Sequence, residues 1–142
     1  MNTALLPDIE KLVSAYLRTT PDVVALVAQR VYAVIPKNAD AALPLVRITQ
    51  FDSVDAIPNQ QHLDQAFIQV DAYGGAKALA SLIGRTVRAA LHDMPGEHDD
   101  GFVTNVRTAG WRYDPDTEAD PTARPRFIFT AQIWAHPIPT GS

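Results

Sequence analysis

Histidine and acidic side chains are grouped between His92 and Asp100. His92 and Asp93 precede a Met-Pro-Gly sequence, and Glu97-His98-Asp99-Asp100 follow it. Imidazole and carboxylate groups can bind zinc and transfer protons. The segment nevertheless lacks the helical His-x-x-x-His spacing that places two imidazoles on one face of a helix. We therefore interpret residues 92–100 as an exposed polar turn and not as a metal site.

Nucleophilic and phosphate-binding chemistry have little support in the sequence. Ser14, Ser53 and Ser81 do not occur in the Gly-x-Ser-x-Gly sequence of a nucleophile elbow. Gly74-Gly75 precede a predicted helix, but the Gly-x-x-x-x-Gly-Lys pattern of a phosphate loop is missing. We predict that these glycines let a strand turn into a helix, and that the protein has no catalytic residue, no cofactor and no metal site.

The composition is typical of a single globular domain. Of the 142 residues, 46% are hydrophobic, 20% are charged and none is cysteine, so the predicted core forms without disulfides. The sequence contains neither a secretory signal nor the ~20 apolar residues needed to cross a bilayer. A net charge of -4 gives no general attraction to nucleic acid. We expect a soluble domain over residues 1–136 and a flexible tail over residues 137–142.

Three segments show the apolar spacing of a helix. The first has its apolar stripe at residues 9–17, the second runs from Pro21 to about Ala28 behind a capping Thr20, and the third spans about residues 76–92. Gly84 lies inside the third helix, where glycine costs ~1 kcal/mol relative to alanine. A close approach between this helix and the sheet would explain that glycine.

The strand signals complete an α+β pattern. Alternating or β-branched residues predict strands at about 30–35, 45–52, 65–73, 102–113 and 126–136, with a bulge near Gly110. The order is two helices, three strands, one helix and two strands. We predict a mainly antiparallel sheet of about five strands with helices packed on one face.

The order of these signals also carries a family resemblance. A capped helix at residues 20–28 changes to a strand by Tyr32; Ala42-Leu43-Pro44-Leu45-Val46-Arg47-Ile48 forms the next strand, and Phe67-Ile68-Gln69-Val70-Asp71-Ala72-Tyr73-Gly74 leads into the third helix. Over roughly residues 8–135 this pattern resembles the tail terminator (tail completion) proteins of long-tailed phages.

The resemblance implies a structural protein and not an enzyme. Such a protein is expected in the virion tail or neck, after assembly in the host cytoplasm. It would form a homohexameric ring that caps the tail tube and joins it to the neck or connector protein. DNA would pass through the lumen without sequence-specific binding, and no membrane is involved.

Within this resemblance, two long loops are the expected docking surfaces for tail tube or neck proteins. They span residues 52–64 and the acidic segment 114–124, and the acidic segment is expected to be exposed. The candidate interface residues are Asp52, Asp55, Asn59, Asp64, Asp114, Asp116, Glu118, Asp120 and Arg124.

Two alternative functions remain open. The chain is another neck component, such as a stopper or head completion protein, or it is a small enzyme or ligand-binding domain with a pocket between the third helix and the sheet.

Overall fold

The computed structural model describes residues 5–36, 43–55, 64–117 and 124–138, without the side chains of residues 54 and 55. The helices in these ranges are α1 (Ile9–Arg18), α2 (Pro21–Val27) and α3 (Lys77–His92). The strands are β1 (Val31–Tyr32), β2 (Leu45–Asp55), β3 (Asp64–Tyr73), β4 (Gly96–His98), β5 (Gly101–Tyr113) and β6 (Arg126–His136). None of these helices is long and apolar enough to cross a bilayer. Most of the predicted tail lies outside the described residues.

Local side chains define where the first two helices start. The Asp8 carboxylate accepts a hydrogen bond from the Lys11 amide at 3.2 Å and caps α1. Pro21 occupies the first turn of α2, as predicted. The prediction that Thr20 caps α2 through its hydroxyl is wrong. That hydroxyl instead donates to the Tyr16 carbonyl oxygen at 2.8 Å, which ties the end of α1 to the start of α2.

The strands form one mixed sheet in the order β1-β2-β3-β6-β5-β4. All neighbouring pairs are antiparallel except β1 and β2, which are parallel. Strand β1 is shorter than predicted because only Val31 and Tyr32 pair with β2. Strand β4 was not predicted: after the buried Met94, the positive φ of Gly96 (142°) starts a strand that pairs with β5. The described sheet therefore has six strands and not about five.

A single apolar cluster joins all three helices to the sheet. Alternate strand residues enter this cluster, among them Ile48 on β2, Ile68 on β3 and Ile133 on β6. Gly84 of α3 lies where the helix approaches β5. A Cβ at that position would lie 2.8 Å from the Trp111 ring, so the predicted close approach is confirmed. The predicted bulge is also present: Gly110 has a φ of 74°, and the β5–β6 register shifts between Ala109 and Arg112.

The strand residues that alternate with the core form a second surface, here called the open face. Cross-strand pairing places these polar and aromatic side chains in rows. One row consists of Arg47, Asp71, Ile128 and Arg112, and a neighbouring row consists of Asp52, Phe67, Gln132 and Arg107. The open face therefore has a composition very different from that of the apolar core.

Candidate assembly surfaces

Residues 92–100 form a hairpin edge in place of the predicted polar turn. The Nε2 atom of His98 lies 2.7 Å from the Met94 carbonyl oxygen, and its ring contacts Tyr16 edge-on at 5.4 Å. His92 instead contacts the Thr108 hydroxyl at 3.1 Å. The two imidazoles thus have separate partners. Across the described ranges, no group of three or more His, Asp or Glu side chains is arranged to hold a metal ion.

Two shallow grooves meet at Tyr16. One, of about 300 Å³, lies between α1 and the β4 region and is lined by Leu12, Tyr16 and Glu97 among others. The other, of about 310 Å³, lies between the helices and is lined by Tyr16, Leu82 and Asp93 among others. Burial, helped by the negative charge of Asp93, raises the pKa of the Tyr16 hydroxyl. Neither groove is the pocket between the third helix and the sheet that an enzyme was expected to use.

A buried ion pair lies on the open face. Asp71 is fully buried, and its carboxylate accepts hydrogen bonds from Arg47 Nε at 2.7 Å and from Gln69 Nε2 at 2.8 Å. Register places Arg47 directly opposite Asp71 on the neighbouring strand. The carboxylate therefore keeps its charge compensated without contact with solvent.

Four charged residues and one tyrosine close the base of the acidic loop and are here called the loop-base network. The Tyr73 hydroxyl donates to Asp116 at 3.1 Å and accepts from Arg126 at 3.2 Å. Arg126 also donates to the Asp114 carbonyl oxygen at 2.8 Å, while Asp116 and Arg124 form an isolated β-bridge. Burial raises the pKa of Tyr73, against the opposing effect of Arg126. This network anchors the β5–β6 connection to the end of β3.

The first predicted docking loop is shorter than expected. Strand β2 continues through Asp52 to Asp55, and β3 already begins at Asp64. Asp52 is exposed beside the bulge in β2, whereas Asp64 is only 6% exposed and is engaged with a partner. The expectation that Asp64 is available on a loop is therefore wrong, because strand pairing withdraws it from solvent. Asn59 lies outside the described residues.

The second predicted docking loop is partly committed to the fold. Asp116 and Arg124 pair across the loop base, with their side chains only 12% and 15% exposed. Asp114 is half exposed and lies 3.7 Å from Arg126. The expectation that this segment is exposed is therefore wrong for Asp116. Glu118 and Asp120 lie outside the described residues.

One edge of the sheet is open over most of a long strand. Within the described chain, β4 pairs with β5 only at residues 101–103, so residues 104–113 have no strand on that side; this segment is called the β5 edge. Arg107 and Arg112 are exposed there. Arg88 of α3 donates to the Thr108 hydroxyl at 3.1 Å and adds a third cation from the helix side. Charged side chains on an exposed edge discourage indiscriminate strand pairing.

The opposite edge is acidic and is called the β2 edge, residues 48–55. The Glu10 carboxylate of α1 accepts a hydrogen bond from the backbone N–H of Gln50 at 2.7 Å. The Asp52 carboxylate accepts one from the Ser53 amide at 2.8 Å. Beside them, Phe51 is 57% exposed and its ring contacts Phe67. Carboxylates therefore cover backbone donors on this edge, while each keeps an oxygen available.

Sequence reasoning did not identify the Arg47–Asp71 pair, the loop-base network or the charge difference between the two edges. A weak signal for the first was present, because Asp71 and Arg47 interrupt apolar strands at alternating positions. Pairing the two strands in register would have placed them opposite one another. The charge difference between the edges could be found only from the strand order, in which β3 and β6 lie between β2 and β5.

The described residues form a small α+β domain with two dissimilar sheet edges and no assembled catalytic constellation. The sequence matches the family model for tail completion protein gp17 over residues 11–133, and the chain belongs to that family. It is therefore a structural protein of the virion tail or neck and not an enzyme. The resemblance found in the sequence is confirmed.

A solved structure shares the fold. A chain from "Virion of native gene transfer agent (GTA) particle" is 18% identical; the match covers 89% of this chain and 94% of that one, with a TM-score of 0.57. At this identity the likeness concerns the fold. None of the curated proteins compared with the chain matches it.

Proposed function

We propose that the protein is a tail terminator: a ring subunit that caps the finished tail tube and joins it to the neck or connector protein. The observation that carries the proposal is membership of the tail completion family across most of the chain. A capping ring must present one surface to the tube, another to the neck and a third to its own copies. A small domain with long strands and two chemically different edges suits repeated head-to-tail contacts.

The proposed ring has six subunits and a lumen through which DNA passes. Six subunits of 15.5 kDa each give a mass of about 93 kDa. The net charge of -4 favours a lumen that does not retain DNA, because tight binding would require many phosphate contacts from lysine and arginine. Of the remaining members of the predicted interface, Asp114 stays a candidate for contacts with the tube or neck, and Asp52 for contacts with these proteins or with a neighbouring copy.

Two measurements test this function together. Light scattering of the purified protein, alone and with tail tubes, should give a hexamer in at least one condition. Cells that produce particles without the protein should release separate heads and tails, and added protein should restore joining.

A protein that stays monomeric with tubes present would contradict the ring. Normal joining in its absence would contradict the terminator function. Binding to the connector but not to tubes would instead favour a stopper or head completion protein.

A further inference from the structure

We infer that the contact between neighbouring copies joins the β5 edge of one copy to the β2 edge of the next. The partner is a second copy of this chain. The inference rests on the proposed ring and specifies which surfaces form it. The three observations that carry it are the cross-strand register of the sheet, the charges on its two edges and the direction of its strands.

Register places complementary charges at the two ends of one row of the open face. The row that contains Arg47 and Arg112 does not end at the β2 edge, because Tyr32 of β1 pairs with Arg47 there. Asp52 pairs with Phe67, Phe67 with Gln132, and Gln132 with Arg107. Asp52 and Arg107 therefore lie in one row at the two edges of the open face. A neighbour related by rotation about an axis along the strands, without translation along that axis, would bring its Asp52 beside Arg107. Rotation without translation is the condition for a closed ring.

The adjacent row repeats this arrangement on the helix side of the sheet. Gln50 and Thr108 are the two ends of this row. The backbone N–H of Gln50 donates to Glu10, and Arg88 donates to the Thr108 hydroxyl. The same rotation thus brings Glu10 of one copy towards Arg88 of the next. One charge pair lies on each side of the sheet, which fixes the orientation of the contact as well as its strength.

Strand direction is consistent with this contact. Strands β2, β3, β6 and β5 alternate in direction, so β5 of one copy meets β2 of the next in an antiparallel arrangement. The contact uses ion pairs in place of a continuous ladder, because Glu10 and Asp52 cover amides of the β2 edge. Contact between two β5 edges would oppose like charges, which is unfavourable.

Charge reversal tests the pairing. Arg107→Asp and Asp52→Arg should each raise the protein concentration needed for half-assembly by about tenfold or more, and the double variant should recover most of that loss. Arg85→Asp is the matched control, because Arg85 is exposed on α3, contacts Ser81 and lines the groove between the helices. Loss of assembly in the control equal to that in Arg107→Asp would overturn the inference, since net charge alone would explain it. Lack of recovery in the double variant would also overturn it.

Disulfide trapping tests the contact independently, since the chain has no cysteine. In a single copy, positions 52 and 107 are three strand spacings apart, about 14 Å, which is too far for a disulfide. The variant Asp52→Cys/Arg107→Cys should therefore form a covalent series ending at the ring, while each single variant stays monomeric on a non-reducing gel. Dimers of Arg107→Cys alone, or a cross-link from position 107 to the tube protein, would overturn the inference.

The outcome also separates this inference from the proposed function. Rings that assemble on tails but show neither the charge recovery nor the disulfide series would leave the terminator function in place and overturn only the edge contact. A wild-type protein that forms no oligomer, alone or with tubes, would overturn both.

Discussion

The two faces of the sheet differ in what their side chains do. On the helix-covered face, alternating apolar residues such as Ile48 and Ile68 are fully buried in one cluster with the helices. On the open face, Asp71 is equally buried but depends on Arg47 and Gln69 to compensate its charge. Burial on the first face is stabilising in itself, whereas burial on the second is tolerated only with a partner. The first face therefore maintains the fold, and the second, with its edges, is free to specify contacts.

Adjacent residues of β2 measure this difference most directly. Ile48→Ala removes a fully buried side chain from the core and should lower the free energy of unfolding by about 2–4 kcal/mol. Thr49→Ala, one residue further along on the open face, should lower it by less than about 1 kcal/mol. Urea denaturation of both variants would measure the contrast. Equal effects would show that the open face is as tightly packed as the core.

The ion pair on the open face should have the next largest effect. Arg47→Met keeps the apolar stem but leaves the buried Asp71 carboxylate with only Gln69, at a cost of about 1.5–2.5 kcal/mol once the partial exposure of Arg47 is considered. Replacing both partners in Arg47→Met/Asp71→Leu should recover part of this loss, because no buried charge remains. An Arg47→Met protein as stable as wild type would indicate that solvent reaches Asp71.

Much of the fold could be predicted because its elements carry strong local signals. Strand β6 begins and ends where its alternation indicated, and α3 differs by one residue at its start. Strand β4 escaped prediction because three residues supply no periodicity, and its pairing depends on the turn at Gly96 and the burial of Met94. Short elements of this kind are specified by their neighbours and not by their own sequence.

Gly84 is subject to two opposing effects, its low helix propensity within α3 and its close contact with Trp111 of β5. Gly84→Ala gains helix propensity of about 1 kcal/mol, but its new Cβ would lie 2.8 Å from the Trp111 ring. Overpacking at such a contact costs about 1–3 kcal/mol, so we expect a net loss of about 1 kcal/mol. Ala89→Gly, at an exposed position of the same helix, should lose about as much through propensity alone. Stabilisation by Gly84→Ala would show that Trp111 moves away readily.

The candidate site was less predictable than the fold, for a physical reason. Composition correctly marked residues 114–124 as acidic and polar, but exposure was inferred from residue type. Asp116 lies inward because Tyr73 and Arg126, distant in sequence, provide its partners. Local sequence therefore indicates which groups are charged, while their exposure depends on strand register.

The loop-base network should give an effect no larger than that of Gly84→Ala, and visible mainly in its pH dependence. Tyr73→Phe removes hydrogen bonds to Asp116 and Arg126 and should cost about 1 kcal/mol at neutral pH.

Burial raises the pKa of Tyr73 in the folded protein above the value of about 10 for an unfolded chain. The stabilising contribution of its neutral form is therefore present below about pH 10 and is lost as the pH rises towards the folded pKa. The difference in unfolding free energy between wild type and Tyr73→Phe should narrow between about pH 8 and about pH 11. Tyr16, whose pKa is also raised by burial, remains in both proteins and contributes to the slope that they share. Parallel curves over that range would show that Tyr73 is accessible to solvent and that the loop base is open.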